Sequence, residues 1–192
     1  AASDVYKRQQ GDHAENAVKN SKEMFSDEVC ICNTIEEVMK YRYRVILADS
    51  FPAIDENTLL LKPKNIIVGL GCRKGISEEL LEKGLLEILK KNHLDMNQIE
   101  ALVSIDLKKE EPAVVSLAEK YKVPFLTYSA EMLNEVEEVS SASSFVKKIT
   151  GIDNVCERAA VTYCKKHCEY FELIAGKSIE TAMTAAIARR NI

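Results

Sequence analysis

The run Gly69-Leu70-Gly71-Cys72-Arg73-Lys74-Gly75-Ile76-Ser77 sets a thiol and two cations inside a glycine-rich turn. Arginine and lysine beside free backbone donors hold anions, and they suit carboxylates on a substrate because charge-assisted hydrogen bonds are the strong ones. Cys72 stands just before a helix start and next to both cations, a setting that favours the thiolate a covalent mechanism needs. A small residue is equally what a tight glycine loop tolerates. Cys72 therefore reads either as a nucleophile or as loop packing with a ligand contact, and no histidine base is its sequence neighbour.

The flanking residues position that turn. Ile66, Ile67 and Val68 are β-branched, as a buried strand prefers, while Gly69, Gly71 and Gly75 permit positive φ and close approach of a ligand to the main chain. Ser77 reads as an N-cap, with Glu78 and Glu79 in the first helical turn at the positive end of its dipole. Leu80, Leu81, Leu85, Ile88 and Leu89 recur at helical spacing, so the unit is strand, loop, helix, with helix N–H groups aimed at the loop. It is not a nucleotide motif. Gly69-x-Gly71-x-x-x-Gly75 misses the dinucleotide spacing by one residue, and a Walker A loop needs Gly-Lys-Ser/Thr where this chain has Lys74-Gly75-Ile76.

Further candidates follow later strands. Asp106, Lys108 and Glu111 come just after the apolar run Ala101–Ile105, where ligands gather in α/β sheets, and Glu157 stands in the first turn of a helix that Asn154 can cap. Asp106, Glu111 or Glu157 serves as a general base only if burial raises its pKa. Cys164, His167 and Cys168 fall at i, i+3 and i+4 of one helix, but without a Cys-x-x-Cys pair the expectation is free thiols and no protein metal site.

The whole pattern is α/β. Residues 1–9 continue no pattern and read as an assembly scar outside the fold. Residues 10–61 read as a small α/β unit: a helix within 12–25, strands at Val29–Cys32 and Arg44–Ala48, and a Thr34-capped helix from Glu36 to Tyr41. Lys62-Pro63-Lys64 marks the boundary to a main domain at 62–192. There, strands at Ala101–Ile105 and Val123–Tyr128 alternate with helices at Glu111–Lys120 and Ala130–Val136. A short helix at Ser143–Ile149 stops at Gly151. A hairpin of Phe171–Ala175 and Thr181–Ala188, turning at Gly176-Lys177-Ser178, completes a three-layer domain with a mixed sheet.

Composition narrows the partners. At 192 residues and 46% apolar content the chain builds a full core, and a net charge of −4 offers no bulk basic surface for nucleic acid. No apolar run approaches the roughly 18 residues of a membrane span. A cytoplasmic protein without a membrane partner is the expectation.

VGLGCRKGIS resembles the signature of the C-terminal domain of the CbiG family, the cobalt-precorrin-5A hydrolases of anaerobic cobalamin biosynthesis. The agreement continues through Ser104-Ile105-Asp106-Leu107-Lys108 with Glu110 and Glu111, Pro124-Phe125, Ser129 to Glu131, Ser144-Phe145-Val146, Gly151, Val155-Cys156-Glu157, Lys177 and Thr184 to Arg189. Residues 10–61 resemble the family's central region more weakly. The resemblance implies a cobalt-bearing tetrapyrrole whose δ-lactone is opened by water with release of acetaldehyde, neighbouring cobalamin-pathway enzymes as partners, and no cofactor, the cobalt arriving within the substrate. It also implies a substrate-carboxylate role for Lys177. The domain resembles stand-alone proteins of the aerobic cobalamin route as well, so a tetrapyrrole-binding module without hydrolysis is the alternative.

Overall fold

A computed structural model describes residues 3–7, 31–32, 34–48, 55–136 and 153–191. The chain divides into two units, Ala1–Pro63 with Asn191–Ile192, and Lys64–Arg190.

The first unit is a parallel sheet of four strands in the order β2-β1-β3-β4, made of β1 (Ser3–Lys7), β2 (Ile31–Cys32), β3 (Tyr43–Leu47) and β4 (Thr58–Leu61). A short helix, α1 (Ile35–Val38), is capped by Thr34, whose hydroxyl accepts the Glu37 N–H at 3.2 Å. Val38, Ile46 and Ala48 form its core, with Leu60 and Tyr41 against them. The backbone of Ser3–Lys7 is paired on both sides, to β2 and to β3, and Val5 and Tyr6 are residue types that favour strands. The helix expected within 12–25 lies outside the described residues.

In the second unit the expected three-layer α/β domain is present. Its sheet has the order β7-β6-β5-β9-β8, with β5 (Ile66–Cys72), β6 (Ile99–Ile105) and β7 (Phe125–Tyr128) parallel. Strands β8 (Phe171–Glu180) and β9 (Met183–Arg190) are antiparallel to each other, and β9 runs antiparallel to β5 from Ile66↔Arg189 to Cys72↔Met183.

The period of two along β5 explains the layers. Ile66, Val68 and Leu70 face α2 (Glu78–Lys91) and α3 (Pro112–Tyr121), which bury Leu81, Leu85, Ile88 and Leu89 and Ala113, Val114 and Leu117 respectively. Ile67 faces the opposite layer, α4 (Ala130–Asn134) and α5 (Val155–His167), with Leu133, Val155, Ala159, Ala160 and Tyr163. Each fully buried Leu or Ile contributes roughly 1.5–3 kcal/mol, so β5 is held rigidly up to its last residues. Ser77 caps α2 and Pro112 opens α3 as their types dictate. The short helix expected at Ser143–Ile149 lies outside the described residues.

The hairpin differs from expectation. β8 runs through Gly176, Lys177 and Ser178, and the chain reverses at Thr181 and Ala182, where Ala182 takes φ 64°. The Gly-Lys-Ser cluster marks a bulge instead: the register with β9 shifts between Leu173 and Ala175 and again between Ala175 and Ser178. Glycine in a strand signals either feature, and here the turn was made by residues without that signal.

Candidate functional site

β5 delivers Cys72 to the carboxyl edge of the sheet, and the chain turns at once. The Arg73 N–H donates to Ala182 O at 3.0 Å, the Ile76 N–H to Arg73 O at 3.3 Å, and Gly75 takes φ 71° with open space where a Cβ would stand. Ile76 anchors the turn in the core, and the Ser77 hydroxyl accepts the Leu80 N–H at 3.3 Å. Arg73 and Lys74 remain exposed.

Glu111 holds this turn from beneath. It is 6% exposed, its Oε1 accepts the Gly75 N–H at 2.8 Å, and its Oε2 accepts from Lys108 Nζ at 2.8 Å. Burial works to raise its pKa, but Lys108, the Gly75 N–H and the nearby Lys74 outweigh burial and hold the carboxyl below its ordinary range. Burial thus does not raise the Glu111 pKa, the condition on which a base role rests: both oxygens are engaged and the charge is stabilised. The Lys108 side chain is largely buried on Glu111, and its charge also acts on the Cys72 thiol. Burial pushes that thiol up; Lys108 pulls it down, Glu111 pushes it up, and the net direction is upward. The thiolate that a nucleophilic Cys72 would need is thus disfavoured, chiefly by burial.

The other face of β5 carries a second group. A Cβ on Gly69 would stand 1.8 Å from Cys156 O, so this glycine lets α5 rest directly on the strand. It is buried between strand and helix. Gly71 lies against Thr184, whose Oγ1 would be 2.6 Å from its Cβ and whose hydroxyl donates to Gly71 O at 3.4 Å. Thr184 also contacts the Cys156 thiol, which burial pushes up to about 11. Glu157 is fully buried in the first turn of α5 and accepts the Lys177 N–H at 2.5 Å. Lys177 belongs to the β8 bulge, not to a turn, and the bulge is what turns its N–H toward that carboxylate.

Two clusters result: Cys72, Gly75, Lys108 and Glu111 toward α2 and α3, and Gly71, Cys156, Glu157, Lys177 and Thr184 toward α5. Asp106 stands apart, exposed in the 3₁₀ turn Asp106–Lys108. Ser104, whose buried hydroxyl donates to Leu70 O at 2.7 Å, and Thr184 stood in the matched motifs without an assigned role. A hydroxyl in a strand gives no local signal of such a contact. The helix cysteines do not converge: Cys164 is buried, Cys168 Sγ–H donates to Cys164 O at 3.1 Å, and His167 is exposed with its ring 4.3 Å from that of Tyr163. Among the described residues no group of three or more His, Cys, Asp or Glu is placed to hold a metal ion. A concavity of about 780 Å³ lies elsewhere, between the end of α3 and the edge strand β7.

Residues 66–188, which contain both clusters, match the model of the family described as Cobalamin synthesis G C-terminus. The chain belongs to this family. A cobalt-precorrin-5A hydrolase of Priestia megaterium is 33% identical over 135 residues, which is 70% of this chain and 35% of that protein. One from Salmonella typhimurium is 35% identical over 116 residues, 60% of this chain and 33% of that protein. The chain thus spans about a third of the length of these two relatives. The crystal structure of CobE, a protein from the cobalamin (vitamin B12) biosynthetic pathway, superposes with a TM-score of 0.62 at 29% identity, covering 66% of this chain and 91% of that one.

Proposed function

We propose that this chain supplies the tetrapyrrole site of a cobalt-precorrin-5A hydrolase in cobalamin biosynthesis, acting in the cytoplasm. The observation that carries this reading is the pinned turn at the end of β5 in a domain of that family, with Arg73 and Lys74 exposed beside it. In this reading those two cations hold peripheral carboxylates of the substrate, and cobalt arrives inside the tetrapyrrole. Water adds to the lactone carbonyl, the ring C–O bond breaks to give a carboxylate and a hydroxyl, and the adjacent C–C bond then cleaves in a retro-aldol sense. Acetaldehyde leaves, and the electron pair remains on the macrocycle until it is protonated. The Arg73 guanidinium favours the oxyanion. Of the three carboxylate candidates, Glu111 and Glu157 hold backbone N–H groups, and Asp106 is exposed.

Incubation of the chain with cobalt-precorrin-5A, with acetaldehyde assayed, tests this directly. Release above the uncatalysed rate is expected. The 91% coverage of CobE by this chain favours a second reading, a module that binds and passes on a tetrapyrrole without hydrolysis. Saturable binding with no acetaldehyde would select it.

A further inference from the structure

Glu111 occupies the N-cap position of α3, yet its side chain caps nothing there; only its backbone carbonyl serves the helix, accepting from Val114 and Val115 at 3.0 and 3.1 Å. Ser, Thr, Asp or Asn at that position would satisfy the helix better. The carboxylate instead reaches a loop 36 residues earlier in the chain, and it is buried to do so. Burying a charge is unfavourable unless it is paired and hydrogen-bonded, and Lys108 supplies the pair. The recipient is the one described glycine with positive φ, at the end of a turn that Gly71 and Gly75 bracket. Glycine does not choose such a conformation unaided, because it visits many others as readily.

From this placement we infer that Glu111 is a positioning residue for the ligand loop: its carboxylate fixes the Gly75 N–H, and so presents Arg73 and Lys74 in the arrangement that meets a polycarboxylate tetrapyrrole. The inference rests on the reading of this site as a tetrapyrrole site. Order in the loop is established when the domain folds, so binding need not supply it. Lys108 belongs to the same device, neutralising the carboxylate.

The test uses the full chain, cobalt uroporphyrin as a cobalt tetrapyrrole carrying carboxylates, and two variants, Glu111→Ala and Glu111→Gln. Glu111→Ala should weaken binding by about tenfold. Amide exchange should accelerate in the peptide 72–77 while the α3 peptide 112–121 stays protected. Glu111→Gln keeps an acceptor for the Gly75 N–H and should recover most of both. A merely structural role predicts something different: a lower thermal midpoint, faster exchange in α3 as well, and an unchanged Kd for the folded protein, and that result overturns the inference. So does tighter binding by Glu111→Ala, which would mean that Glu111 restrains Lys108 from the ligand. Failure of the unmutated chain to bind overturns the tetrapyrrole reading and this use of the loop together. Equal binding by the unmutated chain and by Glu111→Ala overturns the positioning role alone.

Discussion

Glu111 and Glu157 use a carboxylate in the same way, each buried and each accepting a backbone N–H from a segment that leaves regular pairing, Gly75 in the turn and Lys177 in the bulge. Their residue type suggested acid–base chemistry, and nothing local in the sequence told a clamp from a base, because the partner lies 36 residues away in one case and 20 in the other. For Glu111 the sign of the pH effect is fixed. Its folded pKa lies below the ordinary 4.5, so its contribution to stability is fully present above that value and is lost as the pH falls through it and below. Between about pH 6 and pH 3, thermal midpoints of the unmutated chain should therefore fall more steeply than those of Glu111→Gln. Cys72 gives a sharper test. With its thiol pushed up by burial, Cys72→Ala in an active form should keep a substantial fraction of acetaldehyde release, whereas loss of a true nucleophile removes several orders of magnitude. Replacing Arg73 and Lys74 together by Ala should weaken tetrapyrrole binding and leave the melting temperature in place. Exposed charges contribute little to stability, while each charge-assisted bond to a carboxylate contributes about 1.5–3 kcal/mol.

At the scale of elements, β5 and α2 were legible because their signals are local: β-branched residues, Ser77 as cap, and leucines at helical spacing. The purposes of the glycines were not. Gly69 serves the approach of α5, Gly71 the approach of Thr184, and only Gly75 the turn itself, a division that depends on elements far along the chain. Substitution should separate them. Gly69→Ala drives a Cβ into Cys156 backbone and should cost about 3 kcal/mol or more in denaturant melts. Gly71→Ala meets only the Thr184 hydroxyl, so adding Thr184→Ala should restore most of the lost stability, a coupling that a double-mutant cycle reads. Gly75→Ala has room and loses only the left-handed preference, about 1–2 kcal/mol. The misplaced hairpin has the same origin as the glycine roles. A bulge and a turn share composition, and only pairing with β9 distinguishes them.

At the scale of the whole molecule, the three-layer class followed from the alternation of strand and helix patterns, while the central placement of β9 did not, because antiparallel insertion beside β5 leaves no mark in either strand. The helix thiols belong to this scale too, since a structural metal would contribute to folding of the whole domain. With Cys164 buried and Cys168 turned onto its carbonyl, a chelator should leave the thermal midpoint unmoved and purified protein should carry no stoichiometric zinc. The position of β9 has a further consequence, for synthesis. Asn65 at the foot of β5 and Arg190 at the end of β9 are 125 residues apart and hydrogen-bonded. While a ribosome is still making the intervening chain, one edge of β5 has its backbone N–H and C=O groups unpaired, and the turn that carries Arg73 lacks the Ala182 carbonyl that holds it. A nascent chain stalled before Met183 should accordingly bind chaperones and be cut readily by protease, and should become resistant only when Arg190 has cleared the exit tunnel.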